Sequence, residues 1–390
     1  MTTRLTRFFG LIASALVALA GSSCTAMPAA AKTPSEKADA LLTGLIQSND
    51  PGFAVLVAQD GKIIFEKGYG LADREHDVPV IPQTIFRIAS ITKQFTASAI
   101  LKLQKEGKLS VDDKLSKYIP DFPRGAEVTL RQLLTHTSGI HDYNPEPDHL
   151  SDVAKPTTTE VQIELIKRQQ LLYDFDPGTK WRYDNSGYEL LGYIVEKVSG
   201  QSFGDFLREN FFQPLGMTNS GVYREHLDLP HEARGYSLGT NGFEPPFYID
   251  PSWSGGDGAL YSTVEDLYRW NEGIFNGQVL GAASFQAAFT PIPTNANQLN
   301  SGNGYGFGWF VRSYRGLREI SHSGEVPGFT SMMVRLPGEK FTVVVLANAD
   351  GKPNTSSNRL AYLLVDIYLA DKLAPPAIVN TNVSPYLKTP

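Results

Sequence analysis

Phe86-Arg87-Ile88-Ala89-Ser90-Ile91-Thr92-Lys93-Gln94-Phe95-Thr96-Ala97-Ser98-Ala99 is the stretch on which the reading of this chain turns. Ile91, Phe95 and Ala99 recur every four residues, and Gly107 stands where a helix cap belongs, which predicts a helix from Ser90 to Glu106. If Ser90 opens that helix, Lys93 lies one turn on and faces the same way. A serine hydroxyl is a poor nucleophile near neutral pH without an adjacent base. A lysine amine can be that base where burial or a neighbouring cation favours its neutral form. The helix start also offers backbone N–H groups to a developing oxyanion. By itself the Ser-x-x-Lys spacing equally fits a helix cap followed by a solvated lysine.

Two further clusters carry polar chemistry. Tyr183-Asp184-Asn185 follows Pro177-Gly178-Thr179-Lys180-Trp181-Arg182 and precedes a helix predicted from about Tyr188 to Val198. A tyrosine can relay a proton, and an asparagine amide can donate to a substrate carbonyl while accepting from a lysine. His322-Ser323-Gly324 reads as part of a late strand, where glycine would let an acyl group approach the backbone. The N–H of Glu325 is then a second oxyanion donor. Alone, each is a turn: one rich in aromatics, one with an exposed histidine.

The rest of the chain supplies the frame. Phe53 to Ala58, then Gln59-Asp60-Gly61, then Lys62 to Glu66 reads as a β-hairpin, because Asp-Gly tolerates the positive φ of a tight primed turn. Thr129 precedes a short helix, Leu130 to Leu134. The middle, from about Asp112 to Asp266, reads as mostly helical, with Gly242 to Gly258 as a long ordered loop. Tyr305–Val311, Arg318–Ser321, Phe329–Arg335 and Phe341–Ala347 are β-rich, and a last helix fits Ser357 to Ala370. Strands from both chain ends can form one antiparallel sheet, the middle a second lobe, and a cleft lies between them. Tyr143, Tyr248, Trp253, Trp309 and Phe329 are candidates to line it, although an aromatic is more often plain core.

In order, Ser90-Ile91-Thr92-Lys93, Tyr183-Asp184-Asn185 and His322-Ser323-Gly324 resemble the three motifs of the serine β-lactamase and penicillin-binding-protein superfamily. The flanks Leu133-Leu134-Thr135-His136-Thr137-Ser138-Gly139 and Tyr305-Gly306-Phe307-Gly308-Trp309 are similar to the branch of class C β-lactamases, D,D-carboxypeptidases, D-aminopeptidases and β-lactamase-like esterases. The likeness runs from about Ala40 to Leu369. It implies an α+β (α/β sandwich) fold: an antiparallel sheet from about 50–85 and 300–370, flanked by helices, with a mainly helical lobe inserted at about 110–290. It implies Ser90 as nucleophile, Lys93 as activating amine and Tyr183 as acid–base, with no cofactor. Asn185, His322, Ser323, Gly324 and Glu325 would contact substrate, the last through its N–H. Class C enzymes carry lysine where this chain has His322. A histidine is mostly neutral near pH 7, so esters and D-amino-acid peptides are favoured over β-lactams. A receptor that is acylated without turnover is the alternative.

Composition excludes other classes. With 42 % apolar and 19 % charged residues and a net charge of −6, the 390-residue chain has no basic footprint for nucleic acid. No Gly-x-Ser-x-Gly elbow, P-loop or dinucleotide fingerprint occurs. His136 and His141 flank a turn at Gly139, so no metal pair forms at helical spacing. Arg4 and Arg7, an apolar run from Phe8 to Gly21 and Ala29-Ala30-Ala31 have the order of a secretory signal peptide over 1–31, too short to span a bilayer. This predicts a secreted or periplasmic domain from 32 to 372 and a tail at 373–390, acting on a small-molecule or peptide acyl substrate. Cys24, the single cysteine, offers a weaker lipoprotein reading.

Overall fold

Asp60 and Gly61 take φ of 51° and 77°, as a primed turn requires, and join β1 (Phe53–Gln59) to β2 (Lys62–Tyr69). The computed structural model describes residues 32–143, 153–225, 227–295, 298 and 301–375. The signal peptide expected over 1–31, with Cys24, and the part of the expected tail beyond 375 lie outside the described residues. Five late strands complete the main sheet: β3 (Gly304–Tyr305), β4 (Phe310–Tyr314), β5 (Leu317–Val326), β6 (Phe329–Leu336) and β7 (Phe341–Ala347). The order is β3-β4-β5-β6-β7-β1-β2, antiparallel throughout. The earliest strand thus pairs with the latest, Phe53 opposite Ala347 and Val57 opposite Val343.

Among the helices that flank the sheet or fill the lobe are α1 (Pro34–Thr43), α2 (Thr92–Lys105), α3 (Leu130–Leu134), α4 (Ser186–Ser199), α5 (Val264–Phe275) and α6 (Ser357–Tyr368). On one sheet face Val55, Val57, Val343 and Val345 pack with Leu42, Leu360 and Leu364 of α1 and α6. On the other, Ala54, Leu56, Val344 and Leu346 join the core that holds Phe95 of α2 and Leu267 and Trp270 of α5. Burial on both faces explains why β1 and β7 read as unbroken apolar runs. Each Val or Leu so buried contributes roughly 1.5–3 kcal/mol.

Three expectations need correction. Tyr305–Val311 is two strands, because Gly308 turns the chain (φ 86°) so closely against α2 that a Cβ there would stand 2.7 Å from the Lys93 carbonyl oxygen. The middle is not simply helical: short strands at Gly221–Val222, Tyr236–Gly239 and Leu260–Ser262 build small sheets. The stretch from Gly242 likewise opens with a strand, Gly242–Glu244, before its loop. Segments of two to four residues are too short for a period to register. No helix among the described residues is long and apolar enough to cross a membrane.

Candidate active site

Ser90 sits in a 3₁₀ turn, Ala89–Ile91, that runs straight into α2. Ala89 takes φ 48°, a left-handed conformation that a residue with a Cβ adopts at a cost of about 1–2 kcal/mol. Such strain persists only where the surroundings impose it. Here the Ile88 N–H donates to the Leu260 carbonyl at 2.9 Å, and Ser331 Oγ donates to the Ile88 carbonyl at 2.8 Å. Strand β5 lies directly over the turn: a Cβ on Gly324 would be 2.3 Å from Ile88 O and 2.9 Å from Ser90 N. The glycine therefore makes room for the turn itself, a reason nearer to hand than the approach of an acyl group. Glu325 follows on β5, opposite Thr330.

Lys93 is fully buried, and its Nζ lies 2.7 Å from Asn185 Oδ1, 3.0 Å from the Asp257 carbonyl and 3.2 Å from Ser90 Oγ. The amide and the carbonyl oxygen can only accept. They fix two N–H directions and leave the third towards Ser90. The orientation of Asn185 is set in turn by Asp142, whose oxygens accept from its backbone N–H at 2.8 Å and its Nδ2 at 3.3 Å. Burial alone would favour the amine, but Tyr183, Asp257 and Asp142 outweigh it and hold the Lys93 pKa above the ordinary lysine value. The resting lysine is an ammonium, contrary to the simplest expectation from burial. Asp142, pushed up to about 6 by desolvation, shares the same dry site.

Tyr183 lies beneath Lys93, with Nζ 4.9 Å from its ring centre. Its Oη is buried and makes no hydrogen bond of good geometry among the described residues, although it lies near enough to Lys93 to favour the ammonium. An orphaned buried hydroxyl calls for an explanation, and a proton-transfer role is one. Behind its ring, 4.4 Å away, stacks His136, wholly buried and at φ 58°. Both the Asp184 N–H and its Oδ2 approach His136 Nδ1, at 3.3 Å and 3.1 Å. Desolvation raises the Asp184 carboxyl to about 7, while burial keeps His136 neutral.

His322 is also buried. Nδ1 donates to the Ser323 carbonyl at 2.6 Å, and Nε2 accepts from Tyr305 at 3.0 Å. Burial, then the charge of Lys93, lowers its pKa to about 3, so it stays neutral well into the acid range. Both nitrogens are spent within the protein, and the imidazole offers no cation to a substrate.

The structure thus brings Ser90, Lys93, Tyr183, Asn185 and Gly324 together, with His322 beside them and Ser323 half-buried on the same strand. The aromatic lining differs from expectation. Trp309 and Phe329 belong to the core, Tyr143 and Trp253 are half-buried, the former near Asp257, and Tyr248 is exposed. Sequence reasoning passed over Asp142, Asp184, Glu189 and Asp257, and weighed His136 only as a metal ligand. Asp184 could have been found, since it lies inside Tyr-x-Asn. No group of three His, Cys, Asp or Glu side chains among the described residues could hold a metal ion.

Comparison with known proteins agrees with this geometry. The profile of the Beta-lactamase family matches residues 38–366. The chain belongs to the Beta-lactamase family. This family member is 32 % identical over 311 residues to Penicillin-binding protein 4* of Bacillus subtilis (strain 168), covering 76 % of this chain and 68 % of that one. It superposes on the octameric penicillin-binding protein homologue from Pyrococcus abyssi with a TM-score of 0.75 and 30 % identity, over 87 % of this chain and 79 % of that one. A penicillin-binding protein from Bacillus halodurans matches with a TM-score of 0.75 and 27 % identity, over 85 % and 98 %. The α+β architecture with its antiparallel sheet is the one these Beta-lactamase relatives share.

Proposed function

We propose that this chain is a serine hydrolase working through a covalent acyl-enzyme on Ser90. The observation that carries the reading is the setting of Lys93 Nζ: two obligate acceptors take two of its hydrogens, and Ser90 Oγ at 3.2 Å occupies the third direction. In the amine form that direction holds a lone pair. Ser90 Oγ bonds to the substrate carbonyl carbon as its proton passes to Nζ. The N–H groups of Ser90 and Glu325 hold the carbonyl oxygen as it becomes an anion. The leaving group departs with a proton relayed through Tyr183 Oη. Water, deprotonated by the same pair, then releases the acid and restores Ser90. Asp142 engages one Nδ2 hydrogen of Asn185, and the other is available to the substrate carbonyl.

Among acyl substrates, a neutral ester or a D-amino-acid peptide or amide fits better than a β-lactam, because both His322 nitrogens are engaged and the neutral imidazole brings no charge to a carboxylate. A receptor that is acylated without turnover shares this acylation step and differs only in the release of the acid. Export is part of the proposal: the protein is expected to act outside the cytoplasm with a mature terminus near Lys32, which N-terminal sequencing checks. The decisive experiment is mass spectrometry after a fluorophosphonate and a panel of esters, D-peptides and β-lactams, with Ser90→Ala alongside. The wild type should gain the adduct on Ser90 and turn over an ester or D-peptide after the first equivalent. A folded Ser90→Ala protein with unchanged turnover would remove the assignment, and a burst that stops at one equivalent would favour the receptor.

A further inference from the structure

Behind Lys93 lies a second buried acid that the proposed chemistry does not use. Glu189, in the first turn of α4, is wholly inaccessible, and neither carboxyl oxygen meets a donor in bonding geometry among the described residues. Native proteins rarely leave such atoms unpaired, because a buried, unsatisfied polar group costs about 1–3 kcal/mol. Two groups lie close to it: the Gly255 N–H, and another acid, Asp257. Asp257 takes the Gly255 N–H at 3.1 Å on Oδ1, and the single hydrogen of the Tyr143 hydroxyl, 3.1 Å from its Oδ2, is shared with the Trp253 carbonyl at 2.9 Å. Of the two acids, Asp257 is the one that N–H and O–H groups face. The contact is forced, not incidental. A Cβ on Gly255 would fall 2.4 Å from Glu189 Oε1, and one on Gly256 would fall 2.4 Å from the Tyr188 carbonyl of α4. Two successive glycines let this loop lie flat on the helix. The loop delivers the Asp257 carbonyl to Lys93 and is pinned again where Thr96 Oγ1 donates to the Gly256 carbonyl at 2.6 Å.

We propose that Glu189 carries a proton and donates it to the Asp257 carboxylate, and that this carboxyl–carboxylate bond positions the Asp257 carbonyl against Lys93. Glu189 is then a positioning residue acting through Asp257, and its role rests on the reading of Lys93 given above. Its surroundings favour the protonated form. Burial raises its pKa first, and the charges of Asp257 and, further along α4, Glu196 add to this. The Gly255 N–H opposes, as does Arg224 from its own segment, which also interacts with Asp250. Lys93 of α2 interacts with Asp257 and Asp142, and Tyr143 with Asp257, Glu189 and Asp142. Two adjacent carboxylates in a dry site cannot both ionise at neutral pH.

Infrared spectroscopy of the full protein at pH 7, in H₂O and D₂O, tests the proton directly. A protonated-carboxyl C=O band that shifts in D₂O should disappear in Glu189→Gln and survive in Asp184→Asn, which removes the other acid holding a proton. Kinetics test the positioning. Glu189→Gln, whose amide can donate to Asp257 as the carboxyl does, should retain kcat within about threefold, whereas Glu189→Ala should lower kcat by about 10²-fold with KM little changed, the usual effect of misplacing a catalytic group by about 1 Å. A wild-type spectrum that Glu189→Gln leaves unaltered would overturn the proposal, as would Gln and Ala variants equally impaired. If the band behaves as expected but the wild type hydrolyses nothing, the proton-sharing pair stands and the hydrolase reading fails.

Discussion

Lys93 is pulled two ways: burial disfavours its charge, and the surrounding oxygens restore it with something to spare. Because its pKa stands above the ordinary value, the reactive amine is a small fraction at pH 7 and grows about tenfold per pH unit. We therefore expect kcat/KM for a neutral ester to climb steadily from pH 6 to about 9, measured under conditions where the fold is intact. A profile flat over that range would mean that Lys93 does not accept the serine proton. At this scale the sequence announced the groups whose types and spacing carry chemistry: Ser90, Lys93, Tyr183 and Asn185 approach one another as the three motifs imply. It said nothing of the acids around them. Asp142 lies 43 residues from Asn185, and Asp257 lies 164 from Lys93. Nothing local distinguishes a carboxyl that will be buried from one that will face water. His322 was legible as a position and not as a state, because its neutrality comes from Tyr305 and from burial.

Among elements, the crossing of β5 over the nucleophile turn is the tightest join in the site. Gly324→Ala would put a methyl 2.3 Å from Ile88 O and 2.9 Å from Ser90 N, both backbone atoms that cannot swing aside. The strand and the turn must part. We expect a stability loss of about 1–3 kcal/mol and a fall in kcat of about 10²-fold, read from urea unfolding and ester turnover. An alanine variant with wild-type stability and rate would show that the join is looser than its geometry. Elements with strong signals were legible: the Asp60-Gly61 hairpin, α2, α4 ending at Gly200 (φ 73°), and β5 to β7. Helix α1 was not read, although Thr33 and Glu36 form a capping box at its start. Its short amphipathic stretch adjoins the apolar leader and was overshadowed by it.

At the scale of the whole molecule, the buried acids leave a mark on stability. Asp184 has an ordinary pKa of 3.8 when exposed and about 7 in the fold. Between those values the native state holds a proton that the unfolded chain has lost. Its stabilising contribution is full below pH 3.8 and is given up as pH rises towards 7, at about 1.4 kcal/mol per unit. Asp184→Asn lacks this dependence while retaining an acceptor for the Gly187 N–H. Unfolding of both proteins at pH 5 and pH 7 should show the wild type losing about 2 kcal/mol relative to the variant. His136 and His322 titrate in the opposite sense but are common to both, so they cancel. An unchanged difference would mean that Asp184 is ionised throughout. The overall architecture was legible because the apolar runs at the two chain ends could satisfy each other only in one sheet. The small sheets of the lobe were not, since their strands are shorter than any pattern that could announce them.

The pairing of β1 with β7 also sets a timetable. The two strands are about 300 residues apart in the chain. A ribosome adding roughly 5–20 residues per second completes β1 about 15–60 seconds before β7 exists. Through that interval the β1–β2 hairpin is a two-stranded ribbon with an apolar open edge, too small to hold together in water and apt to pair with other chains. No partial product can substitute, because β6 and β7 are made after every residue of the lobe. The nascent chain therefore spends nearly its whole synthesis without the centre of its sheet, and that sheet can close only once translation is all but over.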